Sequence, residues 1–132
     1  MTRQVVSVAT IAAPQAHYSH GVVGSGQWLF VAGQVPLAGD GTLIASDAAA
    51  QAEQVLSNLQ AVVEAAGGTL DDVVKTTVYL VDHADRAAVG AVRRRYFADP
   101  PPANTLLVVK GLADPGFLVE IEAIALLRTD PR

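Results

Sequence analysis

Apolar side chains at Ala52, Val55, Leu56, Leu59, Val62, Val63 and Ala66 recur at spacings of three and four, which places them on one stripe of an α-helix. The spacing predicts a helix over 47–66, with Ser46 or Asp47 as N-cap and Gly67 and Gly68 stopping it. A second helix is predicted over 84–97, with Asp82 near its start, Ala88, Val89, Val92 and Tyr96 on its buried face, and Pro100, Pro101 and Pro102 beyond its end. The segment VVKTTVYLV at 73–81 is β-branched and aromatic, hence a strand. Further strands are predicted at 3–8, 21–26 and 28–33, with Gly24 and Gly26 marking the connection between the last two. Pro36, Gly39, Asp40 and Gly41 then form turns. Strands at 104–109 and 117–127 are separated by Asp114, Pro115 and Gly116.

Three strands, a helix, a strand, a helix and two strands describe an α+β domain with two helices on one face of a sheet. With 132 residues, the chain is read as one domain over 1–132. In the strand at 73–81, Val74, Thr76, Val78 and Leu80 alternate with Val73, Thr77, Tyr79 and Val81, and Lys75 is the single charge. A strand with one wet face alternates more cleanly than this. Since two helices cannot cover both faces, the second face is predicted to pack against another copy of the chain.

Composition removes several function classes. The chain is 51% hydrophobic, yet no stretch approaches the ~20 apolar residues of a membrane span, and the opening MTRQVVSVATIAA lacks the long apolar block of a secretory signal, so a soluble cytoplasmic protein is expected. With no cysteine there are no disulfides, thiolate metal sites or cysteine nucleophile. A net charge of -4 disfavours nucleic acid as a partner. The run Arg93, Arg94 and Arg95 is read as a solvated last helical turn, where cations complement the helix dipole, in preference to a phosphate-binding patch.

Reactive candidates are few. His17 and His20 flank Tyr18 and Ser19, but the only other histidine is His83, so no zinc site is expected; His17 is read as a loop residue bonded locally. Ser19 beside His20 makes no nucleophile, because neighbours on an extended chain point apart. Glu120 and Glu122 share one face of a strand, about 7 Å apart. Such a pair can act as acid and base, or can be one functional group and one edge group paired with a cation. A carboxylate within an apolar strand is costly to bury unless compensated, and a water-filled cleft would compensate Glu120.

The segments AHYSHG, FVAGQVPL, AAAQAEQVLSNLQAVVEAAGGTLDDVVKTTVYLVD, RYF, PPPAN and LVEIEAIAL resemble, in order and near spacing, the RidA family, also called YjgF or the reactive intermediate deaminase family. The likeness spans almost the whole chain. It implies a chorismate-mutase-like α+β domain with a mixed sheet, three copies forming a barrel-like homotrimer with ligand clefts between subunits. It further implies hydrolysis of enamines and imines, such as 2-aminoacrylate, to 2-oxo acids and ammonia, with no metal or organic cofactor. Tyr18, Gly33 and Glu120 match the family's site positions; Ala32 stands where RidA proper has serine, and Asn104 where it has arginine.

That last departure bears on the substrate. Arginine is a permanently charged fork that grips a carboxylate at two points, whereas asparagine offers one donor group, one acceptor and no charge. Losing the fork costs at least about tenfold in affinity. Lys110 lies about 20 Å along the strand, too far to substitute, and His20 is taken as neutral. Asn104 also reads as a cap or turn residue at the end of the proline loop. The resemblance therefore implies a small-molecule hydrolase of altered specificity, with Glu120 as catalytic residue and Tyr18, His20, Ala32, Gly33 and Asn104 binding substrate. The alternative is a protein that binds a metabolite in the same cleft without turning it over. The older ribonuclease association of the family is disfavoured by the acidic balance.

Overall fold

The computed structural model describes residues 3–128. Six strands and two α-helices follow the predicted order: β1 (Arg3–Val6), β2 (Gly21–Gly24), β3 (Gln27–Gln34), α1 (Ala48–Ala65), β4 (Val73–Leu80), α2 (Arg86–Tyr96), β5 (Ala103–Val108) and β6 (Val119–Leu127). A mixed sheet runs β3-β6-β4-β5, with β4 and β5 parallel and β6 antiparallel to both its neighbours. The strands β1 and β2 pair with each other in a separate ribbon, so Gly24 and Gly26 join two sheets and close no hairpin between β2 and β3. Gly26 has φ 149°, and a Cβ there would strike the Leu127 carbonyl, which is the reason for glycine where the chain crosses the end of β6.

Both helices lie on one face of the sheet. Asp47 caps α1 by accepting from Ala50 N at 2.9 Å. Ala52, Val55, Leu56, Leu59 and Val63 are buried as the stripe predicts, and Ala48 and Gln51 extend it N-terminally, while Ala66 is exposed at the C-cap. In α2 the observed stripe is Val89, Val92 and Arg93; Ala88 is exposed and Tyr96 half-buried. A 3-10 turn at His83–Asp85 precedes it, capped by Asp82, which accepts from Ala84 N.

The core lies between α1, α2 and the face of the sheet bearing Val78, Leu80, Val119, Ile121, Ala123 and Ala125. Val73 belongs to this core and not to the opposite face: a bulge between Val73 and Lys75 inserts one residue and inverts the alternation before it. From Lys75 onward the predicted alternation holds. The opposite face carries Lys75, Thr77 and Tyr79 with Glu120, Glu122, Trp28 and Phe30, and among the described residues no helix covers it; Trp28 is 61% and Phe30 71% exposed. No helix among the described residues is long and apolar enough to cross a membrane.

Candidate functional site

Residues paired across neighbouring strands project to the same face, so the register sorts the predicted site residues into two groups. Asn104 pairs with Thr76, which pairs with Ala123, on the helix-covered face. Glu120 pairs with Tyr79 and Glu122 with Thr77, on the uncovered face. Three residues of β4, about 10 Å, separate the two rows along the strand. The two groups of candidate residues thus lie on opposite sides of one sheet.

On the uncovered face Glu120 extends over Gly33, which lies in β3 within the register irregularity between Val31 and Gln34. A Cβ on Gly33 would lie 2.8 Å from Glu120 Cδ and closer still to Oε2, so glycine is what admits the carboxylate. Ala32 next to it is exposed. Burial first, and the neighbouring Glu122 second, push the Glu120 carboxyl above the usual carboxylate range. Glu122 accepts a hydrogen bond from the Tyr79 hydroxyl. Among the described residues Glu120 itself has no hydrogen-bond or ion-pair partner. Lys75 Nζ donates to Thr105 Oγ1 at 2.6 Å, and burial lowers its pKa against an opposing pull from Glu122. The carboxylate pair therefore divides its work: one member is bound by a phenol and the other is free for solvent.

On the helix side, a cavity of about 660 Å³ opens between α2, β5 and the segment 15–17. The segment is pinned to the start of β5: Ser19 N donates to Pro102 O at 3.1 Å and Ser19 Oγ to Pro101 O at 2.5 Å. His17 is buried, its Nε2 2.6 Å from the Phe97 carbonyl 80 residues away, so it ties the loop to the end of α2 and does not bond locally. Tyr18 and His20 meet edge to face at 5.8 Å, with the His20 ring 2.8 Å from the Ala12 carbonyl. Neither ring lines the cavity; Asn104 does.

The arginine run splits three ways, which corrects its reading as a solvated turn. Arg95 is exposed and pairs with Glu53 of α1. Arg94 is exposed at the cavity. Arg93 is 4% exposed, donating from Nη1 to His17 O at 2.9 Å and from Nη2 to Thr76 Oγ1 at 3.0 Å, with its guanidinium 5.4 Å from the Phe97 ring centroid. Thr76 Oγ1 in turn donates to Asn104 Oδ1 at 2.7 Å. Asn104 is thus tied to a buried cation through one hydroxyl, and the cavity wall is not without charge. The sequence carries the signal: position 93 falls four residues after Val89 and one after Val92, on the buried stripe of the helix.

Comparison with known proteins agrees with this architecture. The model of the family described as Endoribonuclease L-PSP matches residues 9–127. A RutC family protein of Pyrococcus horikoshii is 39% identical over 124 residues, covering 93% of this chain and 97% of that protein. The chain belongs to this family, the RidA, YjgF or RutC family. Among solved structures, YyfB of the Rid family from Yersinia pestis is 40% identical, covers 96% of this chain and 100% of its own, and superposes with TM-score 0.89. The YjgF gene product of E. coli is 36% identical, with 95% and 99% coverage and TM-score 0.72. The RidA fold, α+β with a mixed sheet and two helices on one face, is therefore that of this chain.

Proposed function

We propose that this RidA-family chain is a cytoplasmic, cofactor-independent hydrolase of imines and enamines, working as a homotrimer in which the two half-sites meet across a subunit boundary. One copy would present Asn104, with Tyr18 and His20 behind it; the next would present Ala32, Gly33 and Glu120. The observation that carries this reading is Glu120: a part-buried carboxyl with raised proton affinity and no partner among the described residues, held open above a glycine on the uncovered face of the sheet. Such a group can take a proton from water as that water attacks an imine carbon. Return of that proton to nitrogen gives the carbinolamine, whose hydroxyl proton then passes to nitrogen as the C–N bond breaks, releasing ammonia and leaving a carbonyl. An enamine first tautomerises to its imine. Because Asn104 replaces the arginine fork, 2-aminoacrylate is expected to be a poorer substrate here than for RidA proper.

The test is ammonia release from generated imines by wild type beside Glu120→Gln. A loss of about 100-fold or more in kcat with folding intact is expected. No turnover in wild type, with unchanged ligand affinity in the variant, would instead identify a metabolite-binding protein. RNA cleavage that vanishes in Glu120→Gln would overturn the small-molecule reading.

A further inference from the structure

The cavity between α2 and β5 holds an imbalance of charge. In a chain of net charge -4, its wall carries Arg86, Arg93 and Arg94 and, among the described residues, no Asp or Glu. Arg93 has no carboxylate within ion-pair distance among the described residues, and its buried Nε has no hydrogen-bond partner. Burial alone pulls its pKa down to about 10, which leaves it charged at neutral pH. A buried guanidinium that meets only a carbonyl, a hydroxyl and a ring is costly until an anion joins it.

The hydrogen-bond chain fixes the polarity of what such an anion would meet. A guanidinium can only donate, so Thr76 Oγ1 must accept from Arg93. The one hydroxyl proton of Thr76 then goes to Asn104 Oδ1. With Oδ1 turned to Thr76, the Asn104 amide presents Nδ2, which has no partner among the described residues, on the cavity wall. The side chain therefore faces a ligand as a donor, backed by positive charge, and it disfavours an ammonium or a carboxamide NH2 in the same place.

We propose that Arg93 is the specificity-determining cation of this cavity, with a substrate carboxylate docking on Asn104 Nδ2 and the Arg93 charge reaching it through Thr76. The inference rests on the hydrolase reading for its chemical consequence: the substrate is an imine or enamine carrying a compact carboxylate, held by an amide over a buried cation and not by a fork at position 104. A charge about 7 Å from the carboxylate, at an effective dielectric constant of about 20 to 30, favours an anion over a neutral isostere by at least about tenfold.

The test is calorimetric titration of the protein with pyruvate and with pyruvamide, the neutral analogue. Wild type should bind pyruvate at least about tenfold more tightly than pyruvamide. Arg93→Met should abolish the preference without lowering the melting temperature, since an unpaired buried charge is removed, and Arg93→Lys should restore part of it. Asn104→Asp replaces the docking amide by a carboxylate one hydroxyl away from Arg93; it should raise the melting temperature and abolish pyruvate binding, a readout that stands even if Arg93→Met fails to fold. Equal affinities in wild type, or a preference that survives in Arg93→Met, would overturn the proposal. Binding requires no turnover, so a chain that prefers pyruvate yet hydrolyses no imine would refute the hydrolase reading alone.

Discussion

Glu120 links stability to pH in a direction opposite to that of a salt-bridged carboxylate. Its proton affinity is raised in the folded chain by burial and then by Glu122. The native state therefore holds a proton at pH values where the unfolded chain, with a carboxyl near ~4.3, has released it. Native protons exceed unfolded ones across that window, so this group's contribution falls as pH rises from the unfolded value through the folded one, and the destabilisation is complete above it. Glu120→Gln should accordingly be more stable than wild type at pH 7, with the difference disappearing as the pH is lowered below about 4. Melting temperatures of both proteins from acid to neutral pH would check this, and a difference independent of pH would remove the electrostatic explanation. If the proposed reading holds, the substitution that abolishes activity should thus also strengthen the fold.

At the scale of elements, a buried amide on α1 ties that helix to the loops on either side of the core. Gln51 is 1% exposed on α1 and donates to Ile44 O at 3.0 Å and Gly116 O at 2.9 Å, while its Oε1 accepts from Leu118 N at 2.8 Å. It satisfies three backbone groups from the two loops that lead into α1 and β6. Gln51→Leu keeps the volume but leaves those groups without partners, a cost of about 2–4 kcal/mol and a melting temperature lower by roughly 8–15 °C. Thermal denaturation would measure it, and a variant within a degree of wild type would show that water replaces the amide. The stripe periodicity of α1 did not mark position 51, because its polarity argues for solvent until its backbone partners are known. Arg93 is the same case on α2: both side chains sit on buried stripes and are retained by partners far along the chain.

At the scale of the molecule, the uncovered face of the sheet is the dominant feature. Trp28 and Phe30 stack at 6.1 Å on β3, beside the half-site formed by Gly33 and Glu120. Exposed aromatic surface of this kind marks an interface, and the trimer proposed above would cover it while bringing the Asn104 side of a neighbour near Glu120. Phe30→Asp should therefore dissociate the assembly and abolish imine hydrolysis together, although Phe30 belongs to neither half-site. Sedimentation velocity of wild type and variant tests this. A wild-type protein that sediments at the mass of one chain would remove the trimer, and a dissociated variant that keeps full activity would show that one protomer suffices.

The sequence alone determined the order of the elements, the α1 stripe with its Asp47 cap, the alternation of β4 beyond Lys75, and family membership through motifs that run the length of the chain. These are local or linear properties, set by periodicity, capping and chain order. Only the tertiary structure decided that Asn104 and Glu120 lie on opposite faces of one sheet, that Val73 turns into the core at a bulge, and that Arg93 is buried under Thr76 with no acid among the described residues to meet it. Each depends on strand register or on contacts between residues 17 to 76 positions apart. Such pairings follow from how the chain closes on itself, which residue type and spacing leave open.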